Sequence, residues 1–350
     1  MSIIDASTLR ALRIAGRILL GLIVAFPVVW VLFIANGTTF GSAVSDPKDF
    51  LITLINGITA AALYFVVASG FTLIFGLMRV VNMAHGALFL LGGYIALKLQ
   101  RSLVGGGGAF GLTSAQVSLA HWIVPLVVGT AAVAGVGLLM QQLFLRWNQG
   151  QDLRQALITI AVSIILADQM LAHFGGIAQD IAWPGTFDRT VNLHVAGVDY
   201  TLTRLVILGI GLVIGVGLWL WLKRTRTGMV IRAGVDDREM VTALGINSNR
   251  LFTAVFVLGA ALAGLTGVLG ASLLTLYPGA DAEILTFALV VVIVGGLGSL
   301  KGVVVGSLVV GLLDNYARAY FPEFAYFSLF APMVVILLWR PQGLFGTPAT

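Results

Sequence analysis

Cysteine is absent from this sequence, which excludes disulfides, thiolate metal sites and thiol nucleophiles. Charge is scarce. Asp, Glu, Lys and Arg make up 10% of the residues and hydrophobic residues 59%, against about 25% charged and about 45–50% apolar in soluble domains. A chain so poor in charge cannot solvate its own surface, so a water-soluble globular protein is excluded. Also missing is any catalytic constellation: no metal-ligand cluster, no Ser/His/Asp arrangement and no paired carboxylates are evident. The cluster GGLGSLKG at 295–302 lacks the adjacent Gly-Lys-Ser/Thr of a phosphate loop and has no strand before it, which argues against nucleotide binding on this chain.

What is present is hydrocarbon in long runs, with 43 glycines of the kind that let membrane helices approach one another. Spans need about 20 apolar residues. Ten candidate segments meet or approach that length, at 14–35, 51–77, 82–97, 122–145, 155–174, 204–222, 251–276, 283–297, 302–317 and 325–339. The expected fold is therefore an all-α polytopic membrane protein. Arg10, Arg13 and Arg17 precede the first segment, Ile18 to Ala35, which is longer than a signal-peptide core and lacks an evident cleavage pattern. It is read as a membrane helix or anchor. With the N-terminus inside, fourteen of the 20 Lys and Arg fall on the cytoplasmic side, so both termini are expected there.

The third and eighth segments, Asn82 to Leu97 and Glu283 to Leu297, are short for a crossing, and both are read as broken or tilted helices. Split five and five, the two halves run in opposite orientation, and these two segments occupy corresponding positions. Such paired short, glycine-interrupted segments point to a transport path in an inverted repeat, although the halves show no residue-by-residue match. The expected path residues are Asn82, His85, Gly86, Gly92, Gly93 and Tyr94 in one half and Gly295, Gly296, Gly298 and Ser299 in the other. Asn82 and His85 admit two readings, a break that lines a path or side chains that satisfy carbonyls at a helix start. The second is the plainer one. GGLGSLKG is likewise a tight helix-to-helix turn before it is anything else.

Residues 102–118, with Gly105 to Gly108, read as a flexible outer loop, and Gly175 to Thr203 as a longer one. Asp168, His173 and Asp314 lie in or near apolar segments. Asp314 and Arg318 at i, i+4 suit a simple ion pair. A competing class, a self-sufficient carrier or channel, would use Asp168 and Asp314 as coupling-ion sites.

Lys223 to Arg250 is too long for a turn. Asp236 or Asp237 can cap a short helix that Gly245 ends in a left-handed conformation. Met240, Val241 and Leu244 supply an apolar stripe. That helix suits a partner's groove or the bilayer surface, and composition alone leaves both open.

Three blocks then bear a likeness. The first runs from Asn56-Gly57 through ALYFVVASGFTLIFGLMRVVNMAHGALFLLGGY; the second is TGMVIRAGVDDREMVTALGIN; the third is VGGLGSLKGVVVGSLVVGLLD, with RPQGLFG after it. Together they resemble the permease subunits of ATP-binding-cassette importers of the branched-chain amino acid type, specifically the subunit with an Asn-x-Ala-His-Gly motif. Gly70, Leu73, Gly76, Asn82, Ala84, His85, Gly86 and Tyr94 match the first block of that pattern, and Arg232, Ala233, Leu244, Gly245, Ile246 and Asn247 the second. The likeness spans roughly 50–346, which makes 50–346 the permease domain and leaves 1–49 as an N-terminal tail and extra helix.

The resemblance implies a transport subunit rather than an enzyme, set in a bacterial inner membrane, with no cofactor of its own and ATP on partner subunits. It implies as partners a second related permease, two ATPase subunits and a periplasmic or extracellular solute-binding protein, and no nucleic acid. The 223–250 loop would carry the coupling helix, with Asp236, Asp237, Glu239, Met240, Val241, Leu244, Gly245, Ile246 and Asn247 facing the ATPase. Glu239 and Gly245 look like a degenerate importer signature in which Met240 and Val241 replace two alanines. Some amino-acid importers of this family carry Glu after the His-Gly pair, whereas Ala87 stands here. Branched-chain amino acids, urea or amides, and carboxylated aromatics all remain candidate solutes.

Overall fold

The computed structural model describes residues 47–79, 81–105, 112–192, 199–236 and 238–346. The first apolar segment, the glycines at 106–108 and Asp237 lie outside the described residues. Elements follow the apolar runs: α1 is Pro47–Met78, α2 His85–Val104, α3 Leu119–Met140 and α4 Asp152–Phe174. An antiparallel pair, β1 (Thr190–Asn192) and β2 (Asp199–Thr201), leads into α5, Leu202–Arg224. Two short helices, α6 (Arg226–Asp236) and α7 (Arg238–Ala243), precede α8, Ser248–Gly270. The chain closes with α9 (Ala280–Gly295), α10 (Leu300–Tyr320) and α11 (Ala325–Trp339). Among the described residues, eight helices are long and apolar enough to cross a membrane, so the chain is a multi-pass membrane protein. At 16 residues, α9 falls short of that length, as its sequence suggested.

The third segment differs from expectation. It is a continuous helix of 20 residues that starts at His85 and runs through Lys98 and Arg101 to Val104, into the expected loop. Lys98 is exposed and Arg101 half-buried, so both keep charge near water while the helix continues. The seventh segment is shorter than its apolar run, because α8 stops at Gly270 and residues 271–279 form a non-helical turn.

Packing of the helices repeats between α1–α4 and α8–α11. α1 packs on α10 as α8 packs on α3; α2 packs on α8 as α9 packs on α1. The contacts α2–α3 and α2–α4 have counterparts in α9–α10 and α9–α11, and α1–α8 and α2–α9 pair directly. This is the pattern a two-fold internal repeat generates. α1 and α8 cross where Gly70 meets Gly259: a Cβ on either would fall 2.8 Å from the other's carbonyl oxygen. α1, α2, α8 and α9 form the buried centre, while α4 and α11 leave most of their surface uncovered.

Candidate functional site

Between α1 and α2, residues 81–84 form a non-helical stretch at which the first half enters the bundle. Asn82 Oδ1 accepts from the Ala84 amide at 3.2 Å, the His85 amide donates to the Asn82 carbonyl at 3.2 Å, and the Met83 amide donates to Thr159 Oγ1 on α4 at 3.2 Å. His85 is fully buried, with Nε2 2.9 Å from the Val67 carbonyl on α1 and its ring edge-on to Phe71. A carbonyl only accepts, so the proton is on Nε2. These side chains tie α2 to α1. Gly86 packs against the main chain of Asp281, so the N-termini of α2 and α9 meet inside the bundle.

Gly92 and Gly93 sit against the α8 main chain at Gly264 and Gly267. Tyr94 is buried and stacks on Phe174 with ring centroids 4.3 Å apart. The second glycine cluster lies at the other end of α9, fourteen residues or about 21 Å from Asp281, so the structure does not bring the two expected path clusters together. Gly295 and Gly302 press backbone to backbone where α9 turns into α10; Gly296 and Gly298 have φ of 106° and 80°. Ser299 caps α10 by accepting from the Gly302 amide at 3.1 Å. The RPQGLFG tail folds back here, and the Leu344 and Phe345 amides donate to the Val294 and Gly295 carbonyls at 2.9 Å each. That satisfies carbonyls which the end of α9 leaves unpaired.

Polar chemistry gathers elsewhere. A cavity of about 370 Å³ opens between α1, α5, α9, α10 and the 273–277 turn. On one wall Arg318 bridges two helices, with Nε 2.9 Å from Asp314 Oδ1 and Nη2 3.4 Å from Glu283 Oε1. Tyr64 donates to Asp314 Oδ2 at 3.2 Å and stacks on Phe287; Tyr277 donates to Glu283. That hydrogen bond, aided by burial, pushes the Tyr277 phenol up to about 12, so it remains a donor at neutral pH. On the facing side, Arg204 and Tyr200 both donate to Asn56 Oδ1, the tyrosine at 2.9 Å, with Thr59 3.2 Å from the Tyr200 oxygen. None of the ten expected path residues lines this cavity. The expected Asp314–Arg318 pair is formed, and it closes the Asp314 carboxylate with a guanidinium and a phenol.

Arg204 and the link from Glu283 to Arg318 escaped the sequence reading because these groups stand at the edges of apolar runs, where charge looks like a segment boundary. The usable signal was that Glu283, Asp314 and Arg318 begin or end segments at the same expected membrane face.

A second cavity, of about 330 Å³, holds Tyr94, Asp168 and Asp281 between α2, α4 and the start of α9. His173 turns its Nδ1 to the Gln169 carbonyl at 2.8 Å. Among the described residues no three His, Cys, Asp or Glu come together as metal ligands.

At the far end of α5 from Arg204, α6 packs back onto the bundle. Gly228 abuts the α5 main chain at Trp221 and Leu222, Gly234 meets Leu77 at the end of α1, and Ile231 is buried. The expected short helix near Asp236 and Asp237 is described on either side of Asp237, and helical residues already run from Arg226, ahead of the expected cap. Gly245 does take the left-handed conformation, φ 79°, and Asn247 caps α8 through the Arg250 amide at 3.2 Å. The expected stripe is split. Met240 and Leu244 are 59% and 72% exposed, whereas Val241 is 4% exposed and packs inward. Neighbouring helical positions are about 100° apart, so i and i+1 seldom share a face. Ile246 is half-buried.

A family model described as "Branched-chain amino acid transport system / permease component" matches residues 53–338. The high-affinity branched-chain amino acid transport system permease protein LivH of Escherichia coli K12 is 28% identical over 307 residues, covering 85% of this chain and 96% of its own. The permease protein BraD of Pseudomonas aeruginosa, named for the same kind of system, is similar to the same extent. No solved structure gives a significant match.

Proposed function

The chain belongs to the family of permease components of branched-chain amino acid transport systems, and from that membership we propose that it is one membrane-spanning half of an ATP-driven importer for a small polar solute. A second, related permease completes the pore. A soluble binding protein delivers solute to the end of the bundle that carries the charged cavity, and two ATPase subunits engage α6 and α7 at the other end. Loop charges support this orientation, with both termini on the cytoplasmic side. ATP is hydrolysed on the partners, and this chain converts ATPase closure into a change of access by way of the 223–250 loop.

The observation that carries the reading is a cavity with four charged side chains at one end of a largely apolar bundle, joined by α5 to the helix pair at the other end. A buried polar path and a docking element are the two parts that such a permease needs. Among the expected path residues, Asn82, His85 and Gly86 would act by holding the α2–α9 junction beside the cavity. Gly92, Gly93 and Tyr94 would act by seating α2 against α8, and Gly295, Gly296, Gly298 and Ser299 by fixing the α9–α10 turn.

Purification of the tagged chain from membranes under mild detergent tests this directly. Recovery of ATPases and a second permease with it, and ATP-dependent uptake when the set is reconstituted, are the expected results. Recovery of the chain alone, transporting without ATP, would sink the proposal and make Asp168 in the second cavity the leading site of a secondary carrier.

A further inference from the structure

We propose that Arg204 anchors a carboxylate on the transported solute, an inference that rests on the permease reading above. The guanidinium lines the cavity and is half-buried. Among the described residues its one hydrogen bond goes to Asn56 Oδ1, an uncharged acceptor that Tyr200 holds from the other side at 2.9 Å. A guanidinium has five N–H donors in a planar fork, so most of this one's capacity is unspent. Among the described residues no carboxylate lies within ion-pair distance of Arg204.

The cavity does contain two carboxylates, but both are taken. Glu283 is held by Arg318 and Tyr277, and Asp314 by Arg318 and Tyr64. Two negative groups against one guanidinium leave that wall with an excess of one negative charge, and the Arg204 wall carries one positive charge. A partly buried charge is costly unless it meets a partner. A solute carboxylate supplies the missing partner, and its two oxygens fit the guanidinium fork side by side. Any positive group on the same solute is drawn to the Glu283 and Asp314 wall. A neutral amide or urea offers Arg204 a carbonyl but no charge, so Arg204 selects against it. Asn56 and Tyr200 are positioning residues that aim the fork.

The test uses the complete importer in proteoliposomes and compares labelled leucine and benzoate with benzamide and urea. The expected result is ATP-dependent uptake of a carboxylate probe in preference to the neutral ones. Arg204→Gln should then raise KM for that carboxylate by roughly ten- to a hundred-fold, the weight of a charged hydrogen-bonded pair, and Arg204→Lys by less. Asn56→Asp places a carboxylate against the guanidinium and should raise KM similarly while keeping the local packing, which guards against a misfolded Arg204→Gln.

Preference for benzamide or urea, or an unchanged carboxylate KM in Arg204→Gln or Asn56→Asp, overturns the anchor and leaves the importer standing. Equal loss of charged and neutral probes in Arg204→Gln also overturns it, since a docking role would act on all solutes alike. Absence of ATP-dependent uptake for every probe removes the importer reading and the anchor with it.

Discussion

Gly86 stands so close to the Asp281 carbonyl that the two helices they begin, α2 and α9, are in main-chain contact at their N-termini. Only a residue without a side chain permits this approach. Both helices therefore start inside the bundle and direct their positive dipole ends toward each other, and Glu283 in the first turn of α9 faces the charged cavity. Gly86→Val must part the two helices. Overpacking of this kind costs about 1–3 kcal/mol or more, and thermal unfolding of the purified chain should show a lower midpoint. Wild-type stability in Gly86→Val would mean that the junction is looser than described.

Arg79 and Thr275, the two non-glycine residues with positive φ among the described residues, precede α2 and α9 in the two halves, with φ of 55° and 62°. For a β-branched threonine that conformation is strained, at about 1–3 kcal/mol. Thr275→Gly removes the strain and adds back about 0.5–1 kcal/mol of unfolded-state entropy. The expected net effect is a gain of about 1 kcal/mol, read as a small upward shift in unfolding temperature. Thr275→Val keeps the strain and should show no gain; if both variants behave alike, the backbone at 275 is not the cause.

How far the sequence disclosed this arrangement depends on what each feature rests on. Long apolar runs are a local property, so α1, α4, α5, α10 and α11 fall close to where hydropathy puts them. The far end of α2 was missed because Lys98 and Arg101 look like loop residues until the helix is seen to carry them to the bundle's edge. Gly245 was legible because a helix end needs a left-handed residue there, whereas the inward turn of Val241 depends on what α7 packs against. The cavity as a whole was not legible, although its Asp314–Arg318 pair was. Its charged groups come from three separate helices, and nothing local tells Glu283 that Arg318 lies across from it.

Arg318 holds two carboxylates, one 3% and one 32% exposed, and is itself half exposed. Arg318→Met should strand both negative charges in the cavity. Breaking a buried pair costs about 3–5 kcal/mol, and water at the exposed guanidinium reduces that, so a loss of about 2–3 kcal/mol is expected. Replacing Asp314 by Asn and Glu283 by Gln in the same chain should recover most of it. Failure of that triple variant to recover would show that Arg318 acts through packing on Phe287, 6.0 Å from its ring, rather than through charge.

Leu244 and Val241 separate docking from folding three residues apart, at and just past the end of one short helix. Leu244 is 72% exposed and Val241 4% exposed. An Asp at 244 meets water and should change stability by no more than about 0.5 kcal/mol. An Asp at 241 buries a charge and should unfold the loop. If α7 seats in an ATPase groove, the exposed leucine is part of the apolar face that fills it. Leu244→Asp should then yield a folded chain that no longer brings ATPase out of the membrane and no longer supports ATP-dependent uptake, while its unfolding temperature stays at the wild-type value. ATPase capture at wild-type levels by Leu244→Asp would place the docking face elsewhere on the 223–250 loop, with the half-buried Ile246 as the next residue to change.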